Sequence, residues 1–424
     1  MNYLMILPVY YYRLDEKTVS LESAFVEHLK VLKRELYPSF SQMTVAMIEM
    51  TEAEYGQMKT SHSLISEEAD GITIRTHYRS QDFNLHENWI LSTSKFYLFH
   101  GISYAKNIFQ LVKRADLIHG GPSYLWTPPN FLYIIFSFLL RRKTIFVVDI
   151  DFRKSGWMLY KTGEISKKSY WLDKYIYSPL LSFQIIVAAS TGSLVLLKGQ
   201  KMAQYYGRNR ENVKDFLDTV HSSRYIISEL DLEKKIFEFE QFKAPLKITY
   251  FGRLVKYKGV DLCLDAIEAV QRRTSQKIEF HIIGSGEEEA YLRAKTTKLG
   301  INEIVTFHGA YPFGHELFEH LYSCHLLLAT PLKEDTPRSA IDAMAAGIPI
   351  LAFDTYYYRN LESSGAVKTV EWMSVEQLYL NILEVNNDRE KWAQMMRSGV
   401  DFAHQNTQDI WLKKRVDWTL KMFS

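Results

Sequence analysis

The feature that most constrains the fold is a repeated alternation of short apolar runs with longer amphipathic stretches. The run Tyr3–Leu7 is followed by an amphipathic stretch over Leu21–Leu36, and the run Met43–Met50 continues the pattern. Short apolar runs are typical of buried strands, whereas apolar residues spaced three and four apart are typical of helices that cover a sheet. The alternation therefore predicts an α/β fold built from doubly wound parallel sheets.

The alternation occurs twice, and residues 218–244 interrupt it with Glu and Lys in quick succession. With 424 residues the chain is long enough for two domains. We predict a first Rossmann-like domain over residues 1–205 and a second over 206–395, facing each other across a cleft, and we consider that helices at about 396–424 pack back on the first. The predicted strands are Tyr3–Leu7, Met43–Met50, Asp116–His119, Thr144–Val148 and Gln184–Ala188, then Lys247–Phe251, Ile278–Ile283, Ile304–Phe307, Leu326–Ala329 and Ile348–Phe353. Helices are predicted over Ile165–Leu181 and Thr191–Tyr206, among others.

The stretch from Leu326 to Phe353 reads as strand, polar turn, short helix and strand. Thr336 is the predicted N-cap and Pro337 the first helical residue, while Gly347 is the predicted left-handed stop. A helix that begins at the carboxyl end of a parallel strand favours a bound anion. Two carboxylates flank this start, Glu334 before it and Asp342 within the helix, and acids beside an anion suit hydroxyl groups. We interpret the combination as a sugar-nucleotide site. The alternative is a capped helix in which Arg338 pairs with Asp342.

A second stretch, from Tyr250 to Asp261, places two cations after a predicted strand. Gly252 allows a close turn, and Arg253 and Lys258 lie in the loop before the next helix. An Arg fork and a Lys point charge suit an anion with several oxygens. The alternative is that both are solvated surface cations. Two weaker signals follow other strands, namely Gly284-Ser285-Gly286 and His308-Gly309, and each is compatible with a plain turn.

These stretches resemble, in the same order, the motifs of retaining GT-B-fold glycosyltransferases of family 4, the group 1 glycosyltransferases. The match consists of Gly252-Arg253-x4-Lys258-Gly259-x-Asp261 and Glu334-x7-Asp342. The resemblance implies that Arg253 and Lys258 hold the donor diphosphate, that Glu334 lies near the donor sugar, and that Asp342 contacts the ribose. It also implies a donor-binding set of Gly252, Gly284, Gly286, His308, Gly309, Asp335, Thr336, Pro337, Arg338 and Asp342.

The chain departs from the family pattern at two places. Asp342 replaces a Glu, so its carboxylate is one methylene shorter, and a lost contact to the ribose would cost about 1.5–3 kcal/mol of donor affinity. Asp354-Thr355-Tyr356-Tyr357-Tyr358 stands where relatives often carry a glycine pair. The tyrosines either line the site with rings and hydroxyls or form a partly buried aromatic loop.

The first domain offers fewer candidates for chemistry. Asp149 follows a predicted strand near where relatives carry a residue facing the reaction centre, and Asp151 and His119 are its rivals. Each is equally compatible with a structural strand-end role. Asp149-x-Asp151 alone resembles a metal-binding pair of another glycosyltransferase fold, but the resemblance to family 4 accounts for donor binding without a metal.

Composition sets the remaining expectations. The net charge of +2 gives no global attraction to nucleic acid, and the two cysteines, Cys263 and Cys324, suit buried positions in a reducing compartment. The start of the chain reads as a first strand rather than a signal peptide, so we expect a cytoplasmic protein. The apolar stretch Phe131–Leu140, followed by Arg141-Arg142-Lys143, is predicted either to lie on a membrane surface or to be a core helix with a basic end.

The hypothesis from sequence is therefore an enzyme that moves a sugar from a nucleotide diphosphate sugar to an acceptor hydroxyl with retained configuration. The acceptor is a glycan, a lipid-linked group or a small molecule, and neither a metal nor a nucleic acid is expected. Two alternatives stay open: a GT-B-fold sugar-nucleotide epimerase, and a degenerate partner protein that binds a nucleotide sugar without turnover.

Overall fold

The computed structural model describes residues 1–59, 62–83, 89–123, 131–208, 210–241, 245–336 and 338–423. The strands are β1 Asn2–Arg13, β2 Thr18–Glu22, β3 Gln42–Glu49, β4 His62–Ser66, β5 Ile72–Arg79, β6 Leu117–Gly120, β7 Lys143–Val148, β8 Leu194–Leu197, β9 Val213–Asp215, β10 Leu246–Phe251, β11 Ile278–Ile283, β12 Val305–Gly309, β13 Leu326–Ala329, β14 Ile350–Phe353 and β15 Val367–Val370.

The α-helices follow the same chain order, and a π-helical turn at Asp173–Tyr177 joins the seventh to the eighth. They are α1 Ser23–Leu36, α2 Glu52–Met58, α3 Glu67–Asp70, α4 Trp89–Arg114, α5 Phe131–Leu139, α6 Phe152–Lys161, α7 Lys167–Leu172, α8 Ser178–Ser190, α9 Gln200–Gly207, α10 Glu229–Glu240, α11 Val260–Gln271, α12 Glu289–Leu299, α13 His315–Tyr322, α14 Ser339–Ala345, α15 Tyr356–Leu361, α16 Val375–Asn387, α17 Arg389–Gln405 and α18 Gln408–Leu420.

The chain forms two compact units. Unit 1 contains Met1–Asp149, Trp171–Leu217 and Trp411–Ser424, and unit 2 contains Ile150–Tyr170 and Asp218–Ile410. These limits differ from the predicted domains. The segment Ile150–Tyr170 belongs to unit 2, and the return to unit 1 begins at Trp411 instead of about residue 396. The reason is packing, because α17 buries Trp392, Met396 and Val400 in the core of unit 2, whereas Leu412 and Val416 of α18 are buried in unit 1.

Unit 1 is built on a nine-stranded sheet. Its parallel strands run in the order β5-β3-β1-β6-β7-β8-β9, while β2 and β4 add an antiparallel extension beside the end of β1. One side of the sheet buries side chains of α1 and α18, and the other buries side chains of α4. The order turns round between β1 and β6, which is the topological switch point of a doubly wound sheet.

Unit 2 is built on a six-stranded parallel sheet in the order β12-β11-β10-β13-β14-β15. This is the strand order of a dinucleotide-binding α/β fold, with its switch point between β10 and β13. Every residue of β13 and β14 is buried, as expected for strands covered on both faces. The carboxyl ends of β10 and β13 therefore lie side by side at the edge where such sheets bind ligands.

Secondary structure was predicted wrongly between residues 184 and 206. Residues 184–188, predicted as a strand, lie within α8, and the strand β8 falls inside the stretch predicted as the helix Thr191–Tyr206. The buried positions Leu181, Ile185 and Ala188 follow intervals of four and three, because this helix packs one side on the sheet. A short apolar run does not by itself distinguish a strand from a buried helical turn.

Among the described residues, no helix is both long enough and apolar enough to cross a membrane.

Candidate functional site

A pocket that opens to solvent lies at the switch point of unit 2. It is formed by the ends of β10 and β13 and the loops that follow them. The lining residues with polar groups are Tyr250, Lys258, Thr330, Asp335, Ser339 and Tyr358. The fold thus brings the two strongest sequence motifs together, because β10 leads to Lys258 and β13 leads to Asp335.

The loop after β10 is shaped by close backbone packing. Gly284 has φ +143°, and a Cβ there would lie 1.8 Å from the carbonyl oxygen of Gly252. A Cβ on Gly286 would lie 2.2 Å from the carbonyl oxygen of Leu254. The glycines at 284 and 286 are therefore required for packing of the two loops against each other, a structural role that the sequence interpretation had left open as a plain turn.

Lys258 points to the pocket and forms an ion pair with Asp335. The two side chains are only 14% and 13% exposed, so water screens the pair weakly. Asp335 also accepts the backbone N–H of Thr336 at 2.9 Å. The sequence predicted that Asp335 contacts the donor and that Lys258 holds the diphosphate. In the structure these two residues are instead partners of each other.

Three cations surround one aromatic ring beside this pair. The exposed Arg253 donates to the hydroxyl of Tyr257 at 2.8 Å, and Lys333 and Lys258 place their Nζ atoms 4.0 and 5.5 Å from the centre of the same ring. Burial lowers the pKa of Lys333, and Asp335 opposes that shift while Arg253 and Lys258 add to it. The positive charge is therefore concentrated at this loop. Tyr257 and Lys333 were missed from sequence, although each adjoins a motif residue.

Glu334 is buried, and both of its oxygens accept the backbone N–H of Tyr356 at 3.1 Å, at the start of α15. Burial raises the pKa of this carboxyl group. The N–H of Tyr356 and the charge of Lys154 lower it, and Asp151 raises it further. The helix α15 replaces the predicted tyrosine loop. Its Tyr357 and Tyr358 are buried, and Tyr358 lines the pocket.

Asp342 lies on α14 and is buried, with Oδ1 3.7 Å from Nδ1 of His221. The other ring nitrogen of His221 is 3.0 Å from the carbonyl oxygen of Ala403, an arrangement in which Nε2–H donates. Neither Asp342 Oδ1 nor His221 Nδ1 has a hydrogen-bond partner within the described chain. His221 was not predicted from the sequence, because a single histidine in a polar stretch forms no recognisable motif.

The predicted start of the site helix was wrong. The helix α14 begins at Ser339 with Arg338 as its N-cap residue, instead of beginning after Thr336. Gly347 does take the left-handed conformation, with φ +65°. Pro337, the predicted first helical residue, lies outside the described residues. Apolar side chains of α14 are fully buried, so packing on the core places this short helix more firmly than capping does.

His308, from the predicted His308-Gly309 motif, lies in a cluster of three histidines on the sheet. His308 Nε2 is 2.9 Å from His281 Nδ1, and its ring centre is 4.5 Å from that of His320. Burial, followed by the charges of His320 and His281, lowers the pKa of His308 to about 4. Gly309 has φ +73°, and its carbonyl oxygen accepts the N–H of Gly284 at 2.8 Å.

The three candidate residues of the first domain have different surroundings. Asp149 is exposed at the end of unit 1. Asp151 belongs to unit 2, where it caps α6 and binds Arg153 through contacts of 2.8 and 2.5 Å. His119 is buried in unit 1 with its Nδ1 2.6 Å from the hydroxyl of Tyr3, and burial holds its pKa well below the usual value. His119 is thus a core residue.

Within the described ranges, no group of three or more His, Cys, Asp or Glu side chains is arranged to hold a metal ion. Cys263 and Cys324 are buried free thiols.

The two α/β units with their parallel sheets have the GT-B fold. The structure of HepE from Anabaena in complex with UDP and glucose superposes with a TM-score of 0.62 over 99% of each chain, at 16% sequence identity. That likeness concerns the fold. Residues 231–399 match the model of the family described as glycosyl transferases group 1.

Two curated relatives are similar over part of the chain. The 2-deoxystreptamine glucosyltransferase of Streptomyces kanamyceticus is 27% identical over 126 residues, which are 30% of this chain and 32% of the relative. The lipopolysaccharide 1,6-galactosyltransferase of Salmonella typhimurium is 29% identical over 111 residues, 26% of this chain and 30% of the relative. The matched parts thus span about a third of these relatives.

Proposed function

We propose that the chain transfers a sugar from a nucleotide diphosphate sugar to an acceptor hydroxyl, with retention of the anomeric configuration. The observation that carries the proposal is the placement of Lys258 in an open pocket at the switch point of the unit 2 sheet, with Arg253 and Lys333 beside it. Ligands of such sheets bind at this point, and three cations there suit a diphosphate. The group 1 family match and the UDP bound to HepE support the same class of donor.

The reaction breaks the bond between the anomeric carbon and the diphosphate oxygen, and forms a bond from that carbon to the acceptor oxygen. The acceptor proton passes to the departing phosphate, which is the nearest base when attack and departure share one face of the sugar. Negative charge grows on the leaving group, so Lys258, Arg253 and Lys333 lower the barrier by stabilising it. Lys258 must exchange Asp335 for phosphate when the donor binds.

Glu334 has two roles in this proposal. Its carboxylate holds the N–H of Tyr356 and so fixes the start of α15, which brings Tyr358 to the pocket. Oxygens that accept this N–H retain lone pairs, and we propose that these orient a hydroxyl of the donor sugar. Asp342 contributes through the structure of α14, because its Oδ1 faces His221.

The remaining parts of the proposal concern unit 1 and the partners. We propose Asp149, exposed at the end of unit 1, as the residue that unit 1 offers to the reaction. The acceptor is a glycan, a lipid-linked group or a small molecule, the protein works in the cytoplasm in glycoconjugate or polysaccharide synthesis, and the three cations make a catalytic metal unnecessary.

The test begins with a thermal-shift screen of nucleotide sugars with several bases, including UDP-glucose, because a ligand that binds the native state raises the melting temperature. Turnover of the best donor is then measured with and without acceptors. Arg253→Met is expected to lower kcat/KM at least about tenfold, since it removes one charged contact to the leaving group. Arg272→Met is the matched control, because Arg272 is an exposed arginine paired with Glu268 on α11.

The outcomes separate the three functions. Transfer that requires both an acceptor and Arg253 supports the proposal. Conversion of the donor to an isomer without any acceptor would instead identify an epimerase, and donor binding without turnover under all acceptors tested would identify a non-catalytic partner protein.

A further inference from the structure

An unusual surface lies on unit 1, on two helices that the proposed reaction does not use. The helix α4 packs on one side of the sheet through Phe96, Tyr104, Ile108 and Val112, all of them buried. Their spacing is helical, so this helix has one inner stripe and one outer stripe. If the outer stripe contacted only water, its side chains should be polar.

The outer stripe of α4 is apolar at its centre. Leu98, Phe99 and Ile102 are 78%, 74% and 76% exposed, and they lie on one side of the helix because they are separated by one, three and four positions. Single exposed apolar residues are normal on protein surfaces, but three adjacent large ones on one turn are not.

The neighbouring helix α5 extends this surface. Its Ile135, Phe138 and Leu139 are exposed, the last two at 73% and 67%. The two helices contact each other, because the rings of Phe109 and Phe136 are 5.4 Å apart and Arg142 donates to the carbonyl oxygen of Lys113 at 2.7 Å. We call Leu98, Phe99, Ile102, Ile135, Phe138 and Leu139 the α4–α5 apolar face. The inner side of α5 packs on the core, as the prediction of a core helix expects, while its outer side is exposed.

Cations frame this face. Lys95, Lys106 and Lys113 are exposed on α4 at helical spacing from the apolar triad, and Arg141 is exposed just after α5. Residues 89–142 contain six Lys or Arg and a single carboxylate, Asp116, whereas the whole chain has a net charge of only +2. The asymmetry concentrates positive charge around the apolar face.

We propose that the α4–α5 apolar face binds the surface of an anionic lipid bilayer. Leu and Phe side chains on one face with Lys and Arg around them match the two components of such a surface, apolar chains and negative headgroups. Lysine stems also let the apolar part descend while the ammonium groups stay at the headgroups. A second copy of this chain fits poorly, because pairing the face with itself would bring like charges together.

The experiment is co-sedimentation of the full chain with vesicles. Vesicles of phosphatidylcholine with about one third phosphatidylglycerol are expected to bind the protein, and pure phosphatidylcholine vesicles to bind it at least about tenfold more weakly, since several cations each add attraction to an anionic surface. The variant Leu98→Ser/Phe99→Ser/Ile102→Ser is expected to lower binding at least about tenfold, because it removes most of the apolar burial on α4. Lys106→Glu is expected to weaken binding to anionic vesicles. It should also make the remaining binding less sensitive to salt, because less of it is electrostatic.

Leu230→Ser is the matched control, because Leu230 of unit 2 is 81% exposed but lies among acidic neighbours, Glu229 and Asp231. It should bind vesicles as the wild type does, and all variants should keep the wild-type circular dichroism and melting temperature. Failure of the wild type to bind anionic vesicles would overturn the proposal. So would a dimer that the triple substitution converts to a monomer with vesicle binding unchanged, since the face would then be a protein interface. The assay contains no nucleotide sugar, so its result is independent of the proposed reaction.

Discussion

Replacing Lys258 by Met tests the proposed diphosphate site. Its ammonium lies in the pocket against Asp335, both side chains are at most 14% exposed, and a donor phosphate is expected to take the place of the carboxylate. Loss of a hydrogen bond between charged groups costs about 1.5–3 kcal/mol, so the Kd for UDP should rise about 10- to 150-fold. Isothermal titration calorimetry with UDP measures this change directly.

The matched control is Lys256→Met, two residues away. Lys256 loses the same charge, but its side chain is 61% exposed and pairs with Glu164 at 2.6 Å instead of pointing into the pocket. Because this exposed ammonium does not line the pocket, UDP affinity should change by less than about threefold. The comparison separates a contact to the phosphate from the general effect of one positive charge.

Stability must be distinguished from binding. Lys258→Met leaves Asp335 poorly hydrated and unpaired, so the melting temperature should fall, and Lys258→Met/Asp335→Asn should recover it without recovering UDP affinity. Asp335→Asn alone should bind UDP more tightly, because Lys258 no longer has to leave a carboxylate. If Lys258→Met binds UDP within about threefold of the wild type while Asp335→Asn weakens binding, the assignment is wrong and Asp335 contacts the donor.

Three further predictions follow from buried charges and from the cation cluster. Lys235 is buried against the carbonyl oxygen of Ala346, and burial lowers its pKa from 10.5 to about 7. The unfolded chain therefore binds one more proton between about pH 7 and 10, so this lysine should make stability rise with pH over that window, by up to about 5 kcal/mol. Urea unfolding of Lys235→Met should show a flatter profile there, and an unchanged slope would contradict the assignment. His221 and Asp342 should be coupled by about 1 kcal/mol or more in a double-mutant cycle of His221→Phe and Asp342→Asn, and additive effects would mean that their 3.7 Å approach is incidental. Turnover should persist in EDTA because lysine and arginine supply the charge at the phosphates, and loss of activity restored by Mg²⁺ would show that a metal is required.

The succession of strands and motifs along the chain could be predicted from the sequence, because it depends on short-range patterns. Apolar runs long enough for one strand, each followed by an amphipathic stretch, predicted β10, β11, β13 and β14 within two residues of their ends. Parallel α/β sheets have few allowed topologies, so the carboxyl ends of β10 and β13 could be expected to carry Lys258 and Glu334 to one edge.

Periodicity and residue type along the chain were enough to specify the class of fold and the positions of the cationic and acidic motifs. The partner of each charged group, in contrast, became known from the folded chain alone. Lys258 pairs with Asp335, Glu334 holds the start of α15, and Asp342 faces His221. Each of these contacts joins residues 22 to 121 positions apart in the chain. Such pairings depend on how elements pack in space, and no local pattern encodes them.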